Sequence, residues 1–286
     1  MHWTDRREKF RAVLSGPRCV HPGSVYDAMS ARIAEDLGFE VGMLAGSTGA
    51  LSVLGAPDII VLTLTEFAAQ AYRVNRAGKL PLMVDADHGY GNALNVKRTV
   101  EELESAGVAA MTIEDTVLPR AYGEPKPQLI PLAEGVGKMR AALAGRQDPK
   151  LVIAGRTSAL QITGLEDAIA RARAYQECGV DAMFFTGVKT RAQLEALRAA
   201  LSIPIFLGSI EQELADLDYL SAQGVRIALQ GHLPIMAAVR AVYDTLKALR
   251  DGVPPKQIQG AASAELMKQV TRDVDYARWT KDFLGG

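Results

Sequence analysis

Residues 84–92 read VDADHGYGN and follow the apolar run LPLM. Asp85 and Asp87 stand two positions apart, and on an extended strand side chains at i and i+2 share a face. The pair is therefore expected to project together where strand gives way to loop, although Asp and Gly in this order also suit a plain turn. Other short stretches add groups of the same chemical kind: Glu114 in TIED, Arg156 in AGRT, Ser47 in AGSTG and His232 in LQGH. Carboxylates gathered in one cleft repel one another unless some are protonated or a positive charge joins them. A salt-bridge network with Arg156 is one solution and a hard cation is another. An all-oxygen donor set without Cys or His favours Mg²⁺ or Mn²⁺, and the cation is the expected answer. Arg156 offers a planar fork of donors suited to a carboxylate. Ser47 lies in a Gly-rich turn that offers a hydroxyl and backbone N–H groups. The expected ligand is thus anionic and rich in oxygen. His232 reads either as a hydrogen-bonded histidine past a strand end or as one more group at the same mouth.

For these residues to meet, the ends of several strands must come to one place. Apolar runs at 18–24, 41–47, 80–87, 109–115, 151–157, 181–187, 203–209 and 225–231 alternate with amphipathic segments such as TRAQLEALRAAL. Eight β/α units in about 230 residues match a closed barrel, whereas an open doubly wound sheet calls for a G-x-G-x-x-G turn after its first strand, which is absent. The expected fold is an α/β protein, a (β/α)₈ TIM-type barrel, as a single domain over 1–286 with 251–286 as a C-terminal helical tail. In such a barrel the active site lies at the C-terminal ends of the strands, and five of the eight end in or near Ser47, Asp85, Glu114, Arg156 and His232. The segment 116–130, with Pro119, Gly123, Pro125 and Pro127, reads as a mobile lid. Residues 48–63 read as a long connection holding Asp58. Trp279 and Phe283 in the tail read as anchors for another subunit.

Composition narrows the partners. Lys and Arg total 32 against 33 Asp and Glu, a net charge of −1, so no charge excess calls for nucleic acid or an anionic membrane surface. Only Cys19 and Cys178 occur, far apart, which speaks against a disulfide scaffold or structural zinc. The N-terminal stretch has no apolar signal-like region and no run is long enough to span a bilayer, so the expected location is cytoplasmic.

Taken together, DADHGYGN, TIEDT, GRT and the AGS turn resemble the isocitrate lyase and phosphoenolpyruvate mutase superfamily, over residues 18–285. The resemblance implies a (β/α)₈ barrel whose last helix is swapped between subunits of a homotetramer. It implies that Asp85 binds Mg²⁺ directly while Asp58, Asp87 and Glu114 hold its waters. The lyases of that superfamily carry Lys-x-Cys-Gly-His in the mobile loop, and no cysteine occurs between 20 and 177 here. The mutases use lysine and asparagine there, and 116–130 holds Arg120 and no asparagine. LIPLAEGVGKMRAAL and QGH are similar to the oxaloacetate decarboxylase branch. This implies loss of CO₂ from a β-keto acid, giving pyruvate, with Ser47 and Arg156 on the carboxylate and carbonyl end and His232 near the leaving carboxylate. The enolate would take its proton from water or Tyr122. Ser209 stands where that branch can carry a tyrosine, which leaves room for a carbon–carbon lyase or hydrolase acting on a 2-substituted or methylated malate. A lysine-dependent aldolase using Lys189 is a further alternative.

Overall fold

The computed structural model describes residues 3–285; Met1, His2 and Gly286, at the ends of the expected domain, lie outside them. The chain divides into two compact units, 1–231 and 232–286. The first contains eight strands: β1 (Gly23–Ser24), β2 (Gly42–Leu44), β3 (Leu82–Asp85), β4 (Ala110–Glu114), β5 (Val152–Thr157), β6 (Ala182–Phe185), β7 (Ile205–Leu207) and β8 (Val225–Ala228). Each pairs in parallel with the next in sequence. The sheet curls back on itself where Val20 bridges Ile227, with Val20 N–H donating to Arg226 O (3.0 Å) and Ala228 N–H to Val20 O (3.1 Å). This is the barrel-like parallel sheet that the alternating pattern called for. The expected first strand, 18–24, shrinks to two residues and this bridge because Pro22 has no N–H to give the ladder.

Strands buried on both faces need apolar side chains at nearly every position; β6 supplies them throughout, and β3 and β4 depart only at Asp85, Thr112 and Glu114. Met43, Met83, Ala110, Ala154, Phe184 and Phe206 belong to one core cluster, which also takes in Phe10. Leu44, Val84, Met111, Ile153, Met183 and Leu207 belong to a second, shared with the helices. The two-residue period then fixes the strand ends: Asp85 falls on the face of Met83, Glu114 on that of Ala110 and Arg156 on that of Ala154.

Helices α1 (Thr4–Ser15), α2 (Ala28–Asp36), α3 (Gly46–Leu54), α4 (Leu64–Ala77), α5 (Ala93–Ser105), α6 (Leu132–Gly145), α7 (Ala159–Ile162), α8 (Leu165–Cys178), α9 (Arg191–Ala200) and α10 (Leu217–Ala222) complete the unit. Reciprocal caps start α2 (Asp27 with Ser30), α4 (Thr63 with Glu66), α5 (Asn92 with Asn95) and α9 (Thr190 with Gln193), satisfying N–H groups that have no partner within the helix. Helix α1 closes the end away from the carboxylates. Phe10 meets Phe206 edge-on at 6.3 Å, Arg7 Nε donates to Val108 O (3.1 Å) and Arg11 Nη2 to Leu151 O (2.9 Å), just ahead of β4 and β5. Helix α3 was not expected: it takes up 48–54 of what read as connection, leaving 55–63 irregular.

The second unit holds α11 (Leu233–Arg250), α12 (Ala264–Thr271) and α13 (Asp273–Leu284). Arg272, at φ +63°, separates the last two. Within α11 only Ile235 is buried, while Met236, Val239, Tyr243 and Leu246 are exposed at spacings of three and four. No helix among the described residues is long and apolar enough to cross a membrane.

Candidate active site

Strands β3, β4 and β5 bring Asp85, Glu114 and Arg156 together, since Asp85 is in register with Thr112 and Glu114 with Arg156. Arg156 Nη1 donates to Asp85 Oδ2. Asp85 Oδ1 accepts from Thr112 Oγ1 (3.0 Å) and from Asp87 N–H (3.2 Å). Glu114, buried, accepts from Thr116 Oγ1 at 2.8 Å. Its Oε2 lies 3.5 Å from Arg156 Nε, a buried donor with no hydrogen-bond partner. The guanidinium also stands 5.4 Å from the centre of the Phe184 ring. Burial works against the charge of Arg156, but Asp85, Glu114 and Asp87 outweigh it and hold the group protonated.

Asp87 reaches the site by a different route from the one its spacing suggested. Strand β3 ends at Asp85, and Asp87 lies in the following turn at φ +48°, a left-handed conformation that Asp tolerates better than most residues. Its carbonyl accepts from Glu114 N–H (2.8 Å), and its carboxylate lies against Cα of Gly46, at the start of α3. Burial, then the charges of Asp85 and Glu114, push its carboxyl well above the usual range; Arg156 pulls the other way. Burial also raises the Glu114 carboxyl, with Arg156 opposing it. Three acids therefore face one guanidinium.

Of the other expected residues, Ser47 is half-buried in the first turn of α3 instead of in a strand-end loop. Asp58 is exposed in the 55–63 segment and adds to the field on Asp87. His232 is half-buried at the N-cap of α11, in the second unit. Lys189 is exposed ahead of α9. Behind the site, Asp115 accepts from Tyr175 Oη (2.8 Å) and Arg171 Nη1 (3.1 Å), and Arg171 also donates to Ile130 O (3.0 Å). This ties down the end of the 116–130 segment, where Tyr122 is fully exposed. The motif Glu114-Asp115 thus divides its labour, one side chain facing the site and the next the scaffold. Buried Lys138 was also not foreseen. Its signal was a lysine on the buried stripe of α6, Gly135, Lys138, Met139 and Ala142.

Among the described residues, no three His, Cys, Asp or Glu side chains form a ready cage for a metal. The donor set nevertheless fits a hard cation held by one carboxylate and by water: it is all oxygen, and three acids share a single guanidinium.

Comparison with known proteins gives the family. The family model described as phosphoenolpyruvate phosphomutase matches residues 10–250. The chain belongs to that family. A relative from Bradyrhizobium sp. (strain ORS 278), an oxaloacetate decarboxylase, is 62% identical over 280 residues, covering 98% of this chain and 97% of the relative. Solved structures of the family's wider group share the fold. A phosphonopyruvate hydrolase in complex with oxalate and Mg²⁺ aligns with a TM-score of 0.85 at 27% identity, covering 98% of this chain and 99% of the other. A 2,3-dimethylmalate lyase, a PEP mutase/isocitrate lyase superfamily member, aligns with a TM-score of 0.83 at 27% identity, covering 99% and 98%. These neighbours share the barrel-like parallel sheet expected from the sequence.

Proposed function

We propose that the chain decarboxylates oxaloacetate to pyruvate and CO₂ in a Mg²⁺-dependent reaction, with Mn²⁺ able to substitute. The observation that carries this reading is the 62% identity, over nearly all of both chains, to a curated oxaloacetate decarboxylase. The acidic cluster at the ends of β3 and β4 supports it. Asp85 would hold the cation directly, and Asp58, Asp87 and Glu114 would hold its waters. When bound, the cation supplies positive charge to the electron density that builds on the carbonyl oxygen as CO₂ leaves.

The chain's own groups do the rest. Arg156, kept protonated by its acidic neighbours, presents its fork to the keto-acid carboxylate and carbonyl end. Ser47 adds a hydroxyl at the start of α3, where N–H groups without helical partners favour an anion. His232 contacts the substrate near the leaving carboxylate. The bond between C3 and the departing carboxylate breaks, its electron pair passes into the enolate, and water or Tyr122 returns a proton to C3. No lysine imine is needed. One observation favours a second reading, a lyase or hydrolase acting on a 2-substituted or methylated malate: exposed Ser209 follows β7 where a tyrosine would narrow the pocket.

The exposed apolar stripe of α11, with Trp279 and Phe283 exposed on α13, supports a homotetramer with a swapped C-terminal helix. Pyruvate release from oxaloacetate is the decisive assay. Activity is expected to vanish in EDTA, to return with Mg²⁺, and to be lost in Asp85→Ala. Full turnover in EDTA, or turnover of a methylated malate with none of oxaloacetate, would overturn the assignment. For His232, the Ala variant is expected to lose activity per folded molecule while keeping metal affinity, and the Gln variant to retain more.

A further inference from the structure

Lys138 is a buried cation for which the proposed chemistry has no use. It sits in the second turn of α6, only 3% exposed. A buried ammonium is costly unless hydrogen bonds and opposite charges compensate it. Its Nζ donates to His88 O at 2.9 Å. Burial lowers its pKa, and the carboxylates of Glu134, Glu114 and Asp115 act in the opposite direction.

The carbonyl it holds belongs to an unusual turn. Asp87, Gly89, Tyr90 and Gly91 have φ of +48°, +79°, +59° and +148°. Asp87 and Tyr90 are not glycine, and side-chain-bearing residues keep left-handed backbone only where the surroundings over-determine it. Here the surroundings do so at three successive carbonyls. Asp87 O accepts from Glu114 N–H (2.8 Å), His88 O from Lys138 Nζ (2.9 Å) and Gly89 O from buried Thr99 Oγ1 (3.0 Å). These donors come from β4, α6 and α5, so the turn is pinned by three elements, and only Lys138 brings a charge-assisted bond.

We propose that Lys138 is a positioning residue: its ammonium tethers the left-handed turn 87–91 so that the Asp87 carboxylate stays beside Gly46 and Glu114. The tether stands on the geometry alone, while its consequence for cation binding rests on the metal reading proposed above.

Two readouts separate these levels. Hydrogen exchange of the 86–92 amides, measured without metal, is expected to quicken by about tenfold or more in Lys138→Met, because loss of a charged hydrogen bond lowers the cost of local opening. Exchange in the β5 and β6 strands should stay at the wild-type rate. Mn²⁺ binding, followed by electron paramagnetic resonance, is expected to weaken by about 10–100-fold, the usual effect of losing a group that orients ligands, with KM for oxaloacetate at saturating metal unchanged. Lys138→Gln keeps an N–H donor of shorter reach, so both effects should be intermediate, and it replaces the Met variant if that one fails to fold. Wild-type exchange at 86–92 in a folded variant overturns the tether, and equal acceleration throughout the barrel does so too, since that is loss of stability alone. If the wild-type chain itself binds no Mn²⁺, the metal reading falls and the exchange measurement alone judges Lys138.

Discussion

Gly46→Ala tests whether the position of the Asp87 carboxylate matters to turnover. A Cβ at Gly46 would lie 2.6 Å from Asp87 Oδ2, 2.7 Å from Oδ1 and 3.0 Å from Cγ. Ordinary contact begins near 3.4 Å, so the nearer oxygen must retreat by about 0.8 Å. Retreat is obstructed, because the Asp87 backbone is held by Glu114 N–H and the carboxylates of Asp85 and Glu114 lie in the same cluster. Overpacking of this kind costs about 1–3 kcal/mol. Alanine returns about 0.4–1 kcal/mol through the unfolded chain, since Gly46 does not use a left-handed φ. The net loss of up to about 2.6 kcal/mol should lower Tm by up to roughly 10 °C. The effect on catalysis is larger in proportion, because misplacing a positioned group by about 1 Å costs up to ~100-fold. The expected result is kcat/KM for pyruvate release reduced by about 10–100-fold at saturating Mg²⁺ in a folded protein. Gly137→Ala, in α6 with open space around its Cβ, is the control and should keep full activity. Wild-type kcat/KM in Gly46→Ala would refute the reasoning, since the carboxylate would then have moved without consequence.

Tyr175→Phe removes the 2.8 Å bond to buried Asp115 and is expected to lower stability by about 1.5–3 kcal/mol by urea denaturation; an unchanged midpoint would sink the scaffold role given to Asp115. Asp148 links α1 to the barrel: burial opposes its ionisation, but Arg7, Lys150 N–H and Thr4 outweigh it and depress its pKa. A depressed folded-state value means that its stabilisation is complete above the unfolded value of about 3.9 and is lost as pH falls through the folded value. Asp148→Asn should therefore flatten the acid limb of stability against pH below about 4, and an unaltered limb would count against the pair. Truncation after residue 258 is expected to give smaller and less stable particles by light scattering and calorimetry, because the exposed aromatic face of α13 is lost; a truncated protein of unchanged size and Tm would refute the swap.

Where a site residue stands on a strand, periodicity in the sequence made it legible. Asp85, Glu114 and Arg156 end apolar runs whose alternation puts them on one face, and β3, β4 and β5 set them side by side. Strand boundaries were read too long at both ends, 80–87 against Leu82–Asp85 and 203–209 against Ile205–Leu207, because the Leu-Pro and Ile-Pro pairs before the strands and Ala86-Asp87 and Gly208-Ser209 after them lie outside the ladder. Helix α3 stayed hidden because GSTGALSVL offers two glycines and no side-chain cap; what supports it is tertiary, with Gly49 packed close to Leu62, Gln70 and Phe67.

The turn after β3 shows most clearly what one-dimensional spacing misses. Asp85 and Asp87 do come together, but not as alternate residues of one strand: the chain leaves β3 at Asp85, and a left-handed backbone aims Asp87 at the start of α3. Gly46 is then explained by what lies over it, and Lys138 by the carbonyl it holds across the barrel wall, though the two positions are 92 residues apart in the sequence. Local pattern specifies which elements form, while the backbone conformation that carries the acid is fixed by donors from β4, α5 and α6. Such long-range support allows a polar, self-repelling cluster to persist in a stable barrel, since no one of these elements could impose the geometry alone.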